Sequence, residues 1–316
     1  FFNIIIFFSK LFVNCISKKE NFLHYYKKVY FSVIKNESLF INFKSKYLLI
    51  DRFYLSCPIK NYMFKKYCGG KVICCQYHLA ESGISFFTDM DILFTFGNEI
   101  NTKKKLQLFG GNIRLSSPIG SLSMEKEYFN DNKNLNKIEE IDVLIIGINT
   151  VHWMDVSNKI YENYYLYLKW VNQFSNENPN LRIVYKHHAS FKGDILEDEI
   201  LKNTRIQIIS KDLSHNSYKY LEKSKIAISY GSTMILEGLS LNKNCFFVDP
   251  NEAATTFYSH LELDKSLFLN DYVTFKKTLL DRLNSSKHNI QSNEKTCLSS
   301  NMVSERIHNN LVNLDK

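Results

Sequence analysis

Two short segments carry side chains suited to holding an anion and moving a proton. The first, Lys186-His187-His188-Ala189-Ser190, follows the apolar run Leu181 to Tyr185. A lysine and an imidazole at the carboxyl end of a strand can meet a phosphate, and histidine also exchanges a proton near neutral pH. Adjacent histidines point apart, so they form no natural metal pair. The plain alternative is that one of them satisfies local backbone. The second segment, Ser229-Tyr230-Gly231-Ser232-Thr233, leads into an apolar helix containing Glu237. Gly231 allows a positive φ or a close backbone approach. Ser232 or Thr233 at the helix start would sit among free N–H groups at the positive dipole end, a ready phosphate site. Glu237, one turn further on, could accept hydrogen bonds from a ribose. The plain alternative there is an ordinary helix cap with a solvated glutamate.

These segments need a scaffold that brings strand ends together, and the pattern around them supplies one. Ile141 to Gly147 (IDVLIIG) reads as a buried parallel strand. Asn158 to Phe174 places Ile160, Tyr164, Leu168 and Val171 at helical spacing. Leu181 to Tyr185, Arg205 to Ile209, Lys225 to Ser229 and Asn244 to Val248 read as further strands. Helices are expected over Glu197 to Lys202, Ser217 to Lys223, Thr233 to Leu241 and Tyr272 to Leu283. Strands alternating with helices imply βαβ units and a parallel sheet.

In the first part, Tyr47 to Ile50, Lys71 to Cys75 and Asp91 to Phe96 read as strands of a second α/β domain, truncated or small. Ser121 to Glu140 is polar and rich in Asn, Glu and Lys, and reads as a solvated connector. The expected division is therefore 1–125, a linker over 126–140, and 141–316. Two open α/β domains place a ligand cleft between the carboxyl ends of their strands.

Composition narrows the class. Among 316 residues, 45% are apolar and 23% charged, which excludes a disordered chain. The net charge of +8 suits a phosphate-bearing ligand or an anionic membrane surface. No dense Lys/Arg run accompanies it, so a nucleic-acid partner is not expected. The seven cysteines form no CxxC pair and no zinc spacing, which suggests reduced thiols in a cytosol, with Cys245 a small core residue. Asp89 and Asp91 have the spacing of an acidic metal pair but read as structural. Phe1 to Phe8 (FFNIIIFF) is too short to cross a bilayer and reads as a buried strand. A surface anchor helped by Lys18, Lys19, Lys27 and Lys28 is the alternative. Trp153, beside His152 past a strand end, is the aromatic best placed to meet an acceptor.

Taken together, Ile183 to Ser190 (IVYKHHAS) and Ile226 to Pro250 (IAISYGSTMILEGLSLNKNCFFVDP) resemble the nucleotide-binding half of GT-B glycosyltransferases of bacterial surface-polysaccharide synthesis. That pattern runs K-x-H-P, then S-x-x-S-[ST]-x-x-x-E-[AG]-L. Here Ala189 stands where proline is usual, and register favours His188 as the phosphate ligand. Ser232 and Thr233 match the hydroxyl pair and Glu237 the acidic position. More loosely, Val72 to His78 (VICCQYH) resembles a strand followed by a Gln–His pair, with Leu79 in place of the usual glycine. Glu81-Ser82-Gly83 resembles an acidic-x-Gly motif, and Pro118 to Ser121 a Gly-Ser step before the connector. The resemblance implies two Rossmann-like doubly wound domains and a glycosyltransferase using a nucleotide-sugar donor and a saccharide or lipid-linked acceptor. His78 or Glu81 would be its base. Lys186, His187, His188, Gly231, Ser232, Thr233 and Glu237 would bind nucleotide and phosphate, with no metal and no further cofactor. It implies a cytoplasmic protein, with peripheral contact at the inner face of a membrane. A nucleotide-sugar epimerase of the same fold and a non-catalytic nucleotide-binding homologue are the alternatives.

Overall fold

In the computed structural model, the described residues are 9, 12–13, 16–17, 21–50, 57–76, 89–97, 112–129, 138–148, 158–188, 194–202, 204–209, 217–252, 263–285, 297–298 and 302–314. Phe1 to Phe8, and with them the strand expected there, lie outside this set. The chain divides into two compact units. The first comprises Phe1–Tyr77, Gly83–Phe94 and Lys103–Ser116, and the second His78–Ser82, Thr95–Thr102 and Ser117–Lys316.

The first unit contains helix α1 (Phe22–Asn42), strand β1 (Tyr47–Ile50), helix α2 (Pro58–Cys68), and strands β2 (Lys71–Cys75), β3 (Asp89–Thr95) and β4 (Asn112–Pro118). Its sheet order is β1-β2-β3-β4, with β1 parallel to β2 and β2 parallel to β3. Pro58 opens α2, where its missing N–H costs nothing, and Gly69 closes it in the left-handed region at φ 64°. Phe40 of α1 and Met63 and Phe64 of α2 pack on Val72, Cys74, Met90 and Leu93. Asp89 and Asp91 both pair with Lys65, at 3.0 and 3.3 Å, and Asp91 also accepts from the Val72 N–H at 2.8 Å. These carboxylates hold α2 and β2 to β3. The expected strands are present, while α1 and β4 were not read from the sequence. β4 (NIRLSSP) carries two apolar residues, too few for a period-2 signal.

The second unit is built on β5 (Ile141–Ile146), α3 (Asn158–Glu177), β6 (Ile183–Lys186), α4 (Ile195–Leu201), β7 (Gln207–Ile209), α5 (Ser217–Lys223), β8 (Ser224–Ser229), α6 (Thr233–Ser240), β9 (Asn244–Val248), β10 (Phe268–Leu269), α7 (Tyr272–Asn284) and α8 (Val303–Leu314). The sheet order is β10-β9-β8-β5-β6-β7, and every neighbouring pair is parallel. Burial of β5, β6, β8 and β9 on both faces explains their unbroken apolar runs. Leu144, Ile146, Val184 and Ala227 face one core with α5 and α6. Val143, Ile145, Tyr185, Ile226 and Ile228 face the other with α3 and α7. The architecture is that of two Rossmann-like α/β units.

The connector expected from Ser121 is corrected at its start. Leu122–Met124 form one helical turn and Glu125–Phe129 a π-helical one. Ser121, Met124 and Glu125 are buried, Met124 in the α5/α6 core. The Glu125 carboxylate accepts from the Ser304 N–H at 3.2 Å and from its Oγ at 2.6 Å, capping α8. Polar composition there reflects these buried partners, so part of the segment is folded rather than solvated.

α6 lies close on β9 because Gly238 has no side chain. A Cβ there would stand 2.4 Å from Cys245 Sγ. Alanine gains about 1 kcal/mol of helix propensity, but overpacking costs about 1–3 kcal/mol. Gly238→Ala is therefore expected to lower stability by up to about 2 kcal/mol in urea unfolding; a stabilised variant would contradict this packing.

The described cysteines are free thiols. Burial pushes the Cys245 thiol up to about 12, and burial followed by the Glu237 carboxylate raises that of Cys297. At pH 8, iodoacetamide is expected to modify the half-buried Cys57 and Cys68 of the folded protein and to spare Cys245 and Cys297. Rapid mass addition at Cys245 would contradict its place in the core.

Candidate functional site

The order β8-β5-β6 makes β5 the switch strand of the second unit. The chain runs from β5 outward to β6 and β7, then returns to β8 on the other side, and ligands of open α/β sheets bind outside such a point. Ile146, the last residue of β5, pairs with Lys186 of β6 on one side and Ser229 of β8 on the other. The two predicted segments thus leave the same end of one sheet, two strand spacings or roughly 10 Å apart. Three bonds lace these ends. The Gly147 N–H donates to Lys186 O at 2.9 Å. Ser229 Oγ donates to Ile146 O at 2.7 Å and accepts from the Gly231 N–H at 3.4 Å.

Ser232 is the N-cap of α6: its Oγ accepts from the Met234 N–H at 3.3 Å, leaving Thr233 as the first helical residue. The first turn holds no acidic side chain, so the positive end of the helix dipole is not neutralised from within. Gly231, Ser232 and Thr233 are half-buried. Among the described glycines, positive φ occurs at Gly69 and Gly120, not at Gly231.

Alternation along β6 sorts the Lys-His-His segment. Val184 faces the α6 core, so Lys186, two residues on, lies on the same face and is buried. His187 is on the opposite side. Its ring meets Tyr185 edge-on at 5.0 Å, and its Nδ1 lies 2.9 Å from Glu197 Oε1, at ion-pair distance. Glu197, fully buried on α4, also accepts from Tyr185 at 2.8 Å and Tyr164 at 2.8 Å, and these two hydroxyls are 2.9 Å apart. His187 therefore belongs to a buried polar network behind the strand end. His188 is exposed.

Glu237 is 4% exposed, which overturns the solvated alternative. Ser121 Oγ donates to its Oε1 at 2.5 Å and Tyr218 to its Oε2 at 2.8 Å. Ser121 is delivered by Gly120, at φ 97°, where a Cβ would stand 3.1 Å from both Leu298 O and Val303 Cγ2.

Sequence reading missed Glu197, Tyr164, Tyr185 and Tyr218 as partners of the site. The tyrosine spacing along α3 signalled only burial. It also missed the strain after β9, where Asn251 and Glu252 are consecutive left-handed residues at φ 60° and 56°. Each costs of order 1–3 kcal/mol and such strain clusters at functional loops. His78, Glu81, His152 and Trp153 lie outside the described residues. Among the described residues, no group of three or more His, Cys, Asp or Glu side chains is placed to hold a metal ion.

The fold is GT-B-like. Over 90% of this chain and 80% of its own, S. aureus MnaA in its UDP co-structure superposes with a TM-score of 0.57 at 15% identity. UDP-GlcNAc 2-epimerase from Neisseria meningitidis bound to UDP-GlcNAc matches 90% of this chain and 81% of its own, with a TM-score of 0.57 at 10% identity. A UDP-forming α,α-trehalose-phosphate synthase from Burkholderia xenovorans matches 94% and 79%, with a TM-score of 0.52 at 11% identity. No family model matches the chain, and no curated protein matches it in sequence.

Proposed function

We propose that the second unit binds the nucleotide and phosphates of a nucleotide-sugar, and that the protein is a glycosyltransferase acting on a saccharide or lipid-linked acceptor of surface-polysaccharide synthesis at the inner face of the membrane. One observation carries the reading: Lys186 and Ser229 flank the same residue, Ile146, at the switch point of a parallel sheet. Lys186, the exposed His188 and the α6 N-terminus behind Gly231, Ser232 and Thr233 would neutralise the charge that builds on the leaving nucleotide, a role that needs no metal. Glu237, held by Ser121 and Tyr218, would accept from the ribose hydroxyls. His187, tied to Glu197, would fix the loop. His78 or Glu81 would take the proton from the acceptor hydroxyl.

A thermal-shift screen with CMP, CDP, UDP and GDP tests the binding site. A ligand at a hundredfold excess over its Kd stabilises by about 2.7 kcal/mol. One nucleotide is expected to raise the Tm of the wild type and not of the Ser232→Ala/Thr233→Ala double variant. An equal rise in both would place the phosphate elsewhere.

A second reading is favoured by a specific likeness: the UDP-GlcNAc 2-epimerase from Neisseria meningitidis, bound to UDP-GlcNAc, matches with a TM-score of 0.57, against 0.52 for the trehalose-phosphate synthase. An epimerase of this fold converts its nucleotide-sugar without an acceptor. Product formation from the donor alone would select that reading; product only with an acceptor would select transfer.

A further inference from the structure

Of the large apolar side chains exposed among the described residues, eleven lie between residues 12 and 43. Most belong to α1, a helix of 21 residues, about 31 Å long. One face of α1, carrying Phe40 with Val33 beside it, packs into the first unit's core. The adjoining flank is open and repeats at helical spacing: Leu23, Tyr26, Tyr30 and Ile34, with Phe31 next to them. Leu23 and Phe31 are 63% and 66% exposed, a cost in water that isolated surface residues do not explain when they form one stripe. Tyr26 and Tyr30 stack along it at 5.9 Å.

The charge beside this stripe is mostly positive. Between residues 21 and 46 the chain has five lysines and one acid, Glu37. Glu37 is occupied by a hydrogen bond from Tyr67. Lys27, Lys28 and Lys35 are exposed. On a helical wheel Lys27 falls between Ile34 and Phe31, and Lys28 and Lys35 fall beyond Phe31. Among the described residues no helix is long and apolar enough to cross a membrane. An apolar and aromatic stripe with one lysine within it, able to extend its ammonium outward, and two along its edge, on a helix anchored by its other face, is the arrangement that lies in a lipid headgroup layer. A protein partner would need acidic groups around an apolar groove; an anionic bilayer offers both features without a matching shape.

We propose that the open flank of α1 docks this protein onto an anionic lipid surface, with Leu23, Tyr26, Tyr30, Phe31 and Ile34 in the acyl boundary and Lys27, Lys28 and Lys35 on the headgroups. The proposal does not rest on the nucleotide-sugar reading, since vesicle binding is measured without nucleotide and either can fail alone. The full chain is co-sedimented with vesicles of phosphatidylcholine alone and with 30% phosphatidylglycerol. Binding to the anionic vesicles is expected to be at least roughly tenfold tighter than to the neutral ones and to weaken in 0.5 M salt. Leu23→Ser/Phe31→Ser and Lys27→Glu/Lys28→Glu are each expected to reduce it at least roughly tenfold, with unchanged circular dichroism and Tm. All four positions are exposed, so these variants are expected to fold. Absence of wild-type binding, equal binding to both vesicle types, or unaltered binding by the variants overturns the proposal. So does a self-association that Phe31→Ser abolishes while no lipid is bound, since the stripe would then be a contact between two copies.

Discussion

Replacing Glu197 by alanine will lower the unfolding free energy by about 3–5 kcal/mol, the range for breaking a buried polar network by removing its centre. Three groups lose their partner at once: the hydroxyls of Tyr164 and Tyr185 and the imidazole of His187. The two hydroxyls, 2.9 Å apart, can still bond each other, so one proton remains unsatisfied, together with the cavity left by the side chain. Urea unfolding of Glu197→Ala, Tyr185→Phe and the double variant measures this, and the cycle should show a coupling of at least about 1 kcal/mol. A single-variant loss under about 1 kcal/mol would mean that the contacts are incidental. The same region sets the alkaline limit of the fold. Burial first, with Glu197 adding to it, holds the hydroxyl protons of Tyr164, Tyr167 and Tyr185 well above the ordinary tyrosine value. In the unfolded chain they are lost near pH 10. The folded state then binds more protons than the unfolded one. Stability is therefore fully present below about pH 10 and falls above it, by about 1.4 kcal/mol per pH unit for each tyrosine. A urea midpoint that stays flat from pH 9 to 11 would contradict this.

Glu237→Ala is expected to cost about 2–4 kcal/mol, because it strands the buried Ser121 and Tyr218 hydroxyls and leaves a void beneath α6. On the proposed function it also removes the nucleotide-dependent rise in Tm. Glu237→Gln separates the two effects. It keeps the volume and one accepting oxygen, so its stability loss should be only about 1 kcal/mol. Ribose binding through a charged acceptor should still weaken at least about tenfold, because bonds to an ionised group are about twice as strong as neutral ones. Isothermal titration with the nucleotide found by thermal shift decides it. Tyr218→Phe supplies the control: it removes a supporting donor at about 1 kcal/mol and should change affinity far less than the amide does. Equal affinities for wild type and Glu237→Gln would show Glu237 to be a structural acceptor only.

Strands β5, β6, β8 and β9 of the second unit were legible because they are largely buried and bounded by Gly, Pro or polar residues, whereas β10, only two residues long, was not read from the sequence. Asn244 to Val248 and the helix Ser217 to Lys223 fall where periodicity placed them. The Gly-Ser-Thr start of α6 was legible for the same reason, since cap chemistry acts within four residues. β4 and α1 were not. β4 has too few apolar residues for an alternation, and α1 spreads apolar side chains around much of its circumference, blurring the period. Ser121 was assigned to a connector because polarity alone does not separate a solvated residue from one bonded to Glu237.

What the sequence determined by itself is the local grammar: an alternating α/β chain with cationic and capping residues at strand ends. Those are short-range properties, set by periodicity and by steric limits on a few neighbouring residues. Which strand ends stand together was decided by the order β8-β5-β6, since pairing joins residues forty or more positions apart. The division of labour within Lys186-His187-His188 was decided there too. Alternate side chains of β6 enter different cores, so only the packed sheet shows that Lys186 shares the face of α6, that His187 is bound by Glu197, and that His188 is exposed.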